Sequence, residues 1–218
     1  MIEKIADGIF ARKIRIPHED WSLTTFLWVT SHMNLYLDAG LGENAIRELS
    51  IYADPSKPNT CVYSHSHFDH IWGAGALKNP RIIAHKNFIR HDRSIMQDRI
   101  KFASYAEGQS EVLPPTLLIT KDTDLDEEVL ILTTEGHTDD GLMVYHKTLK
   151  ILFMGDVAAD EGKVLPEISG SIQNYLTTLT KLKALNIDFI LCSHRDIEKK
   201  TYLDTLLENA YIFLKNCQ

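Results

Sequence analysis

Three histidines and one aspartate lie within six residues, in the segment His65-Ser66-His67-Phe68-Asp69-His70. Imidazole and carboxylate groups are the ligands that proteins offer to zinc, iron and manganese. In an extended segment His65, His67 and Asp69 would share one face, so that one ion could bind all three. A turn at Asp69 and His70 would instead direct these two side chains to a second ion. The density of the cluster favours a metal site over a polar loop whose histidines only bond to their neighbours.

The same arrangement, a predicted strand followed by polar residues, recurs along the chain. The histidine cluster follows the apolar run 61–63, and the ends of later strands deliver His137, Asp156 and His194. A rigid scaffold presents a site in this way. His137 taken alone would more often be an ordinary hydrogen-bonded loop residue. Asp38 also ends a strand, where it is either part of a plain turn or a polar group at a strand edge, where sites gather.

Hydrophobic periodicity and turn residues predict the elements that position these groups. Strands are predicted over 9–16, 24–30, 33–38, 61–63, 81–84, 117–119, 129–132, 142–145, 151–154 and 189–192, and helices over 43–54, 86–107, 175–185 and 202–214. We expect the first helix to bury one apolar face, made of Ala45, Ile46, Leu49 and Tyr52. We expect the histidines in or near turns to be exposed, namely His18, His32 and His146.

The segment 86–107 carries five basic residues and allows two interpretations. It could form a basic cap over the site, or a solvated helical face. The second is favoured because acidic residues dilute the charge. The basic residues are Lys86, Arg90, Arg93, Arg99 and Lys101.

The chain has 218 residues, of which 44% are hydrophobic, enough to bury a sizeable core. We find no interior linker and predict a single domain over residues 1–218. No apolar run is long enough to span a membrane, and residues 1–8 are too polar for the apolar region of a signal peptide. We therefore expect a cytoplasmic protein that does not bind membranes.

Charge and cysteine content narrow the function further. The formal net charge of −7 disfavours nucleic acid, whose phosphates repel an acidic protein, so we expect a small-molecule substrate. The oligomeric state stays open, a homodimer included. Cys61, Cys192 and Cys217 are odd in number, and the first two lie in apolar runs, so we expect reduced thiols instead of disulfides.

With these residues assembled, the chain resembles the metallo-β-lactamase-fold superfamily of hydrolases over nearly its whole length. The shared motifs occur in the family's order, namely His65-x-His67-x-Asp69-His70, Gly136-His137-Thr138, Gly155-Asp156 and Ser193-His194. The resemblance implies an α/β fold, a four-layer αββα sandwich of two mixed sheets flanked by helices. The predicted element order is compatible with this fold.

The resemblance also implies a ligand set for two divalent metal ions, with zinc expected and iron or manganese as alternatives. One ion would be held by His65, His67 and His137, a second by Asp69, His70 and His194, and Asp156 would bridge them. Asp38 matches an acid that often supports the site by orienting a ligating histidine.

The implied activity is metal-dependent hydrolysis by a metal-bridging hydroxide, with Asp69 as the residue that orients the water and accepts its proton. Candidate substrates are small esters, thioesters, lactones and related compounds, since this fold hosts many hydrolytic reactions. The sequence departs from glyoxalase II at Asp139 and Asp140, where that family has Pro and Gly, and it lacks the glutathione-binding helical region. Ala159 stands where some lactonases have tyrosine.

Two other functions remain open. The run His137-Thr138-Asp139 also resembles the persulfide dioxygenases of this fold, which oxidise their substrate with O₂ at a single iron. The other is a non-catalytic metal-binding module, which is disfavoured because structural sites tend to be closed, without an open position for water.

Overall fold

A computed structural model describes residues 2–16 and 19–216 of the chain. The chain divides into two compact units, Met1–Thr120 and Lys121–Gln218, each with its own sheet and its own hydrophobic core. The single domain over residues 1–218 stays a prediction. His18 and Cys217 lie outside the described residues.

The first unit contains a seven-stranded mixed sheet whose strands follow one another in chain order. Neighbours from β1 to β4 pair antiparallel, and those from β4 to β7 pair parallel. The strands are β1 (Ile2–Ala6), β2 (Ile9–Arg15), β3 (Ser22–Val29), β4 (Asn34–Leu37), β5 (Asn59–Val62), β6 (Arg81–His85) and β7 (Leu117–Ile119). The central strands β3 and β4 are buried almost throughout.

The helices of the first unit are shorter than predicted. They are α1 (Glu43–Ser50), α2 (Phe68–Ile71) and α3 (Asp92–Lys101), with 3₁₀ turns at Ala74–Ala76, Lys86–His91 and Ala103–Tyr105. Ala45, Ile46 and Leu49 of α1 are buried as expected. Tyr52 was wrongly assigned to this face: α1 ends at Ser50, and the Tyr52 ring is 44% exposed and stacks on Phe10 at a centroid distance of 4.7 Å.

The segment 86–107 is not one helix, since α3 is flanked there by two of these 3₁₀ turns. All five of its basic residues are exposed, as the solvated-face interpretation expects. Ile95 is the one buried residue of α3, so little apolar surface holds this stretch in a regular helix.

The second unit contains a six-stranded mixed sheet in the order β13-β12-β11-β10-β9-β8. The strands are β8 (Thr123–Asp124), β9 (Val129–Thr134), β10 (Gly141–His146), β11 (Ile151–Gly155), β12 (Phe189–Cys192) and β13 (Glu198–Lys199). Only β11 and β12 pair parallel; the other neighbours are antiparallel. The predicted class, α/β with two mixed sheets flanked by helices, is confirmed.

Two amphipathic helices, α4 (Ile172–Lys183) and α5 (Tyr202–Asn216), contact each other and complete the second unit. The Ser171 hydroxyl caps α4 by accepting a hydrogen bond from the Gln173 N–H at 3.1 Å. Each helix buries one apolar face, with Tyr175, Leu176, Leu179 and Leu182 in α4 and Leu203, Leu206 and Ala210 in α5. Among the described residues, no helix has the length and apolar character needed to cross a membrane.

One expectation about exposure was wrong: His146, the last residue of β10, is buried. The side chain is 6% exposed, whereas a place near the hairpin turn suggested an exposed residue. Its Nδ1 accepts a hydrogen bond from the Leu149 N–H at 3.4 Å, so the imidazole folds back on the turn. Burial lowers the pKa of His146. His32 is exposed, as predicted.

Strand direction decides where the polar loops emerge. In the first sheet β4 and β5 are parallel, so the residues after them, Asp38 and Ser64, leave the same edge. In the second sheet β9, β11 and β12 run in one direction, because β10 is antiparallel to both β9 and β11. Their carboxyl ends therefore deliver His137, Asp156 and His194 to one edge of that sheet.

Gly73 allows the chain after α2 to pack tightly against the loop after β4. A Cβ atom at this position would lie 2.3 Å from the Ala39 carbonyl oxygen and 2.4 Å from that of Gly42. The Gly73→Ala variant is therefore expected to lose about 1–3 kcal/mol of unfolding free energy, measured by urea unfolding of metal-free protein. Gly170→Ala is the control, since its nearest neighbour would lie at 3.6 Å. Equal stability of the two variants would contradict this account.

Candidate metal centre

The first unit brings its four candidate ligands together after β5. His65 lies in the loop, His67 occupies the position directly before α2, and Asp69 and His70 lie within that helix. The His65 ring centroid lies 4.4 Å from that of His67 and 4.2 Å from that of His70. The Asp69 Oδ2 atom lies 3.5 Å from His70 Nε2. Because the helix begins at Phe68, the turn alternative describes the segment better than a continuous extended face.

Asp38 is a fully buried hydrogen-bond acceptor at the edge of the first sheet. Its Oδ1 accepts from the Ser64 N–H at 2.7 Å, and its Oδ2 accepts from the Ser64 hydroxyl at 2.9 Å and from His70 Nδ1 at 2.6 Å. The Asp38 backbone has φ +63°, a conformation that is uncommon for a residue other than glycine. The structure therefore supports the interpretation of Asp38 as a polar group at a strand edge over that of a residue in a plain turn.

These hydrogen bonds define which nitrogen of each imidazole can bind a metal. His70 Nδ1 must donate, because an ionised carboxylate only accepts. The Ser64 hydroxyl donates its one hydrogen bond to Asp38, so its oxygen accepts from His65 Nδ1 at 3.0 Å. In both histidines Nδ1 is thereby the donor nitrogen, which leaves Nε2 as the nitrogen available to a metal, the usual arrangement around a metal-binding imidazole.

The second unit presents its three candidate ligands at the edge of its own sheet. His137 Nδ1 donates to the Glu167 carbonyl oxygen at 2.8 Å, which again leaves Nε2 as the ligand atom. The Asp156 Oδ2 atom lies 3.7 Å from His137 Nε2 and 3.3 Å from His194 Nε2. Gly155 ends β11 with φ +54°, a left-handed turn that redirects the chain at Asp156.

The separations within each unit fit shared metal ligands. Two ligand atoms each about 2.1 Å from a tetrahedral ion lie about 3.4 Å from each other. The three measured nitrogen–oxygen separations, 3.3, 3.5 and 3.7 Å, agree with this value. One oxygen of Asp156 lies at this spacing from two histidines, His137 and His194. The donor set therefore fits divalent ions that accept both nitrogen and oxygen.

The cysteines of the sheets are structural. Cys61 in β5 and Cys192 in β12 are buried free thiols, as predicted. Burial raises the pKa of each thiol, with a smaller contribution from Asp38 at Cys61. Protonated thiols are poor metal ligands, so these two residues act as small core side chains.

Sequence reasoning missed two groups that orient the ligands. Ser64 connects Asp38 to both His65 and His70, and its place directly before the histidine cluster was the available signal. The Glu167 carbonyl oxygen orients His137 from thirty residues further along the chain. Any residue type could supply that carbonyl, so its sequence carries no signal.

Comparisons with known proteins agree with the motif order. A model of the metallo-beta-lactamase superfamily matches residues 34–194. The chain is similar to the metallo-beta-lactamase FIM-1 from Pseudomonas aeruginosa in its mono-zinc form, with a TM-score of 0.78, 14% identity and coverage of 98% of this chain and 95% of that one. No curated protein was found to match.

Two further metallo-beta-lactamase structures are similar. That from Erythrobacter litoralis, with beta mercaptoethanol in its active site, has a TM-score of 0.75, 18% identity and coverage of 97% of this chain and 96% of that one. That from Hirschia baltica has a TM-score of 0.74, 14% identity and coverage of 96% and 97%. At such identities the likeness shows a common fold. Together with the family match over residues 34–194, it establishes that the chain belongs to the metallo-beta-lactamase superfamily.

Proposed function

We propose that this protein is a hydrolase that uses two divalent metal ions. Asp156 contributes to both positions. The first ion takes His65, His67 and His137, and the second takes Asp69, His70 and His194. The observation that carries the proposal is the ligand spacing within each unit, together with the Nδ1 hydrogen bonds that leave Nε2 of His65, His70 and His137 as the ligand atom.

Zinc is the proposed metal, with iron and manganese as the alternatives to test. Imidazole nitrogen and carboxylate oxygen are ligands of zinc. The similar FIM-1 structure is of a mono-zinc form, which supports the choice of zinc. The proposal of two ions is based on the seven candidate ligands of this chain.

The ions, when bound, supply Lewis acidity that lowers the pKa of water and polarises the substrate oxygen. The residues of the chain provide orientation and proton transfer. Asp69 is the proposed catalytic residue: its buried carboxylate orients the attacking water and accepts a proton at an oxygen atom. Asp38 and Ser64 keep His70 and His65 in the ligating tautomer and thereby hold the site in one geometry.

The proposed substrates are small esters, thioesters, lactones or related compounds. The formal charge of −7 disfavours nucleic acid. The acids Asp139 and Asp140 replace the Pro-Gly that follows the corresponding Thr in glyoxalase II, which disfavours glutathione thioesters.

Metal removal tests the proposal. Protein stripped with a chelator is expected to lose hydrolysis of a panel of esters, thioesters, lactones, β-lactams and phosphodiesters, and to regain it with two equivalents of zinc. The midpoint of thermal unfolding should rise on zinc addition, because the ions bind the folded state. Magnesium is the control, since it prefers oxygen ligands and should restore little.

Two outcomes would contradict the proposal. Hydrolysis that persists after complete metal removal, verified by elemental analysis, would exclude the mechanism. One iron per chain with O₂ uptake on a persulfide would replace the hydrolase with the oxygenase alternative.

A further inference from the structure

A polar cluster in the second unit lies directly beside two of the proposed ligands. Arg195 follows His194, and Ala159 lies three residues after Asp156. The Arg195 Nη1 atom donates to the Ala159 carbonyl oxygen at 3.0 Å and to the Tyr202 hydroxyl at 2.7 Å. The Tyr202 hydroxyl also accepts from the Ala159 N–H at 3.0 Å. Both backbone polar groups of Ala159 are thus held by the two side chains.

Arg195 makes further contacts within this cluster. The Glu198 Oε1 atom accepts from Arg195 Nε at 3.1 Å and from Nη2 at 2.7 Å. The guanidinium lies 4.2 Å from the centroid of the Tyr202 ring, a cation–π contact. Tyr202 is 8% exposed at the start of α5, and burial raises its pKa to about 12, so its hydroxyl stays protonated at neutral pH.

This geometry ties the loop after β11 to the loop after β12. The first loop carries Asp156 and the second carries His194. A further bond, from the Glu161 N–H to the His194 carbonyl oxygen at 3.0 Å, joins the same two loops. The separation between Asp156 Oδ2 and His194 Nε2, 3.3 Å, depends on how these loops are held. Metal sites tolerate errors of only about 0.5 Å in ligand position.

We propose that Arg195 and Tyr202 are positioning residues that hold Asp156 and His194 at ligand spacing and so determine occupancy of the second metal position. The inference rests on the proposed function, because it concerns one of the two proposed ions. It assigns a role to residues that are not among the seven proposed ligands. The first position shares Asp156 with these loops, but its three histidines, His65, His67 and His137, make none of the hydrogen bonds described for the cluster.

The Tyr202→Phe variant tests this assignment, because it removes one hydroxyl and keeps the ring under the guanidinium. Tyr145→Phe is the matched control, since its hydroxyl donates one hydrogen bond, to the Asn186 carbonyl oxygen at 2.6 Å. Each protein would be titrated with cobalt while the visible spectrum is recorded, and zinc affinities would be measured by chelator competition. Arg195→Lys provides a second variant, which keeps the positive charge but loses the planar set of guanidinium N–H donors.

Tyr202→Phe and Arg195→Lys are expected to weaken the more weakly bound ion about 10-fold or more and to change the cobalt spectrum. The affinity for the first ion should fall less, because that position shares Asp156 but keeps three histidines. Tyr145→Phe should lower thermal stability without changing either affinity. Two ions bound by Tyr202→Phe with the affinities and spectrum of the wild type would overturn the assignment alone. Wild-type protein that takes up a single ion would overturn the two-ion proposal, and this assignment with it.

Discussion

Replacing Asp156 with alanine is expected to lower kcat/KM by on the order of 10³-fold, because the metals supply several kcal/mol of transition-state stabilisation. Asp156 Oδ2 lies 3.3 Å from His194 Nε2 and 3.7 Å from His137 Nε2, so one carboxylate serves both proposed positions. The fold should be retained, since Asp156 is not part of the hydrophobic core of its unit. The measurements are steady-state kinetics on the best substrate of the panel, metal content and circular dichroism.

His65→Ala should have the same effect from the first unit, because it removes a proposed ligand of the first ion. His32→Ala is the matched control, an exposed histidine in the turn between β3 and β4, and it should retain full activity and metal content. Loss of metal from Asp156→Ala without loss of activity would refute the mechanism.

Replacing Asp38 with alanine is expected to have the largest effect on stability among the residues around the site. The change removes the carboxylate that accepts from three buried donors: the Ser64 N–H, the Ser64 hydroxyl and His70 Nδ1. Unsatisfied buried donors cost about 1–3 kcal/mol each, so we expect a loss of about 3 kcal/mol or more in the unfolding free energy of metal-free protein. Metal affinity should also fall about 10–100-fold, since His70 loses the group that orients it.

The Asp38→Asn variant separates the effect of the lost hydrogen bonds from the backbone strain of an alanine at this positive φ. Asparagine tolerates the φ of +63° at this position and keeps the shape of the side chain, but its amide nitrogen cannot accept. We expect an intermediate loss of stability and of metal affinity. Denaturant unfolding and chelator competition would measure both. Wild-type affinity in Asp38→Ala would show that His70 is oriented without its carboxylate partner.

Much of the fold followed from local patterns. Strand β12 has the predicted bounds, and helices α4 and α5 lie within three residues of the predicted ranges, because apolar spacing along a segment reports its secondary structure directly. The predictions failed where packing and turn geometry decide. Helix α1 ends at Ser50 and leaves Tyr52 to stack on Phe10 from a neighbouring strand, and His146 is buried by the fold of its own turn.

The candidate site likewise has features that local patterns predict and features that depend on packing. Local residue patterns predicted the ligand types, their order, their place after strands and the family to which the chain belongs, because these are properties of residues close together along the chain. The orientation of the ligands could not be predicted in this way. Asp38 meets His70 because β4 and β5 are parallel, and Glu167 reaches His137 through a backbone carbonyl. Such contacts depend on strand pairing and loop paths between distant segments, which local residue patterns do not encode.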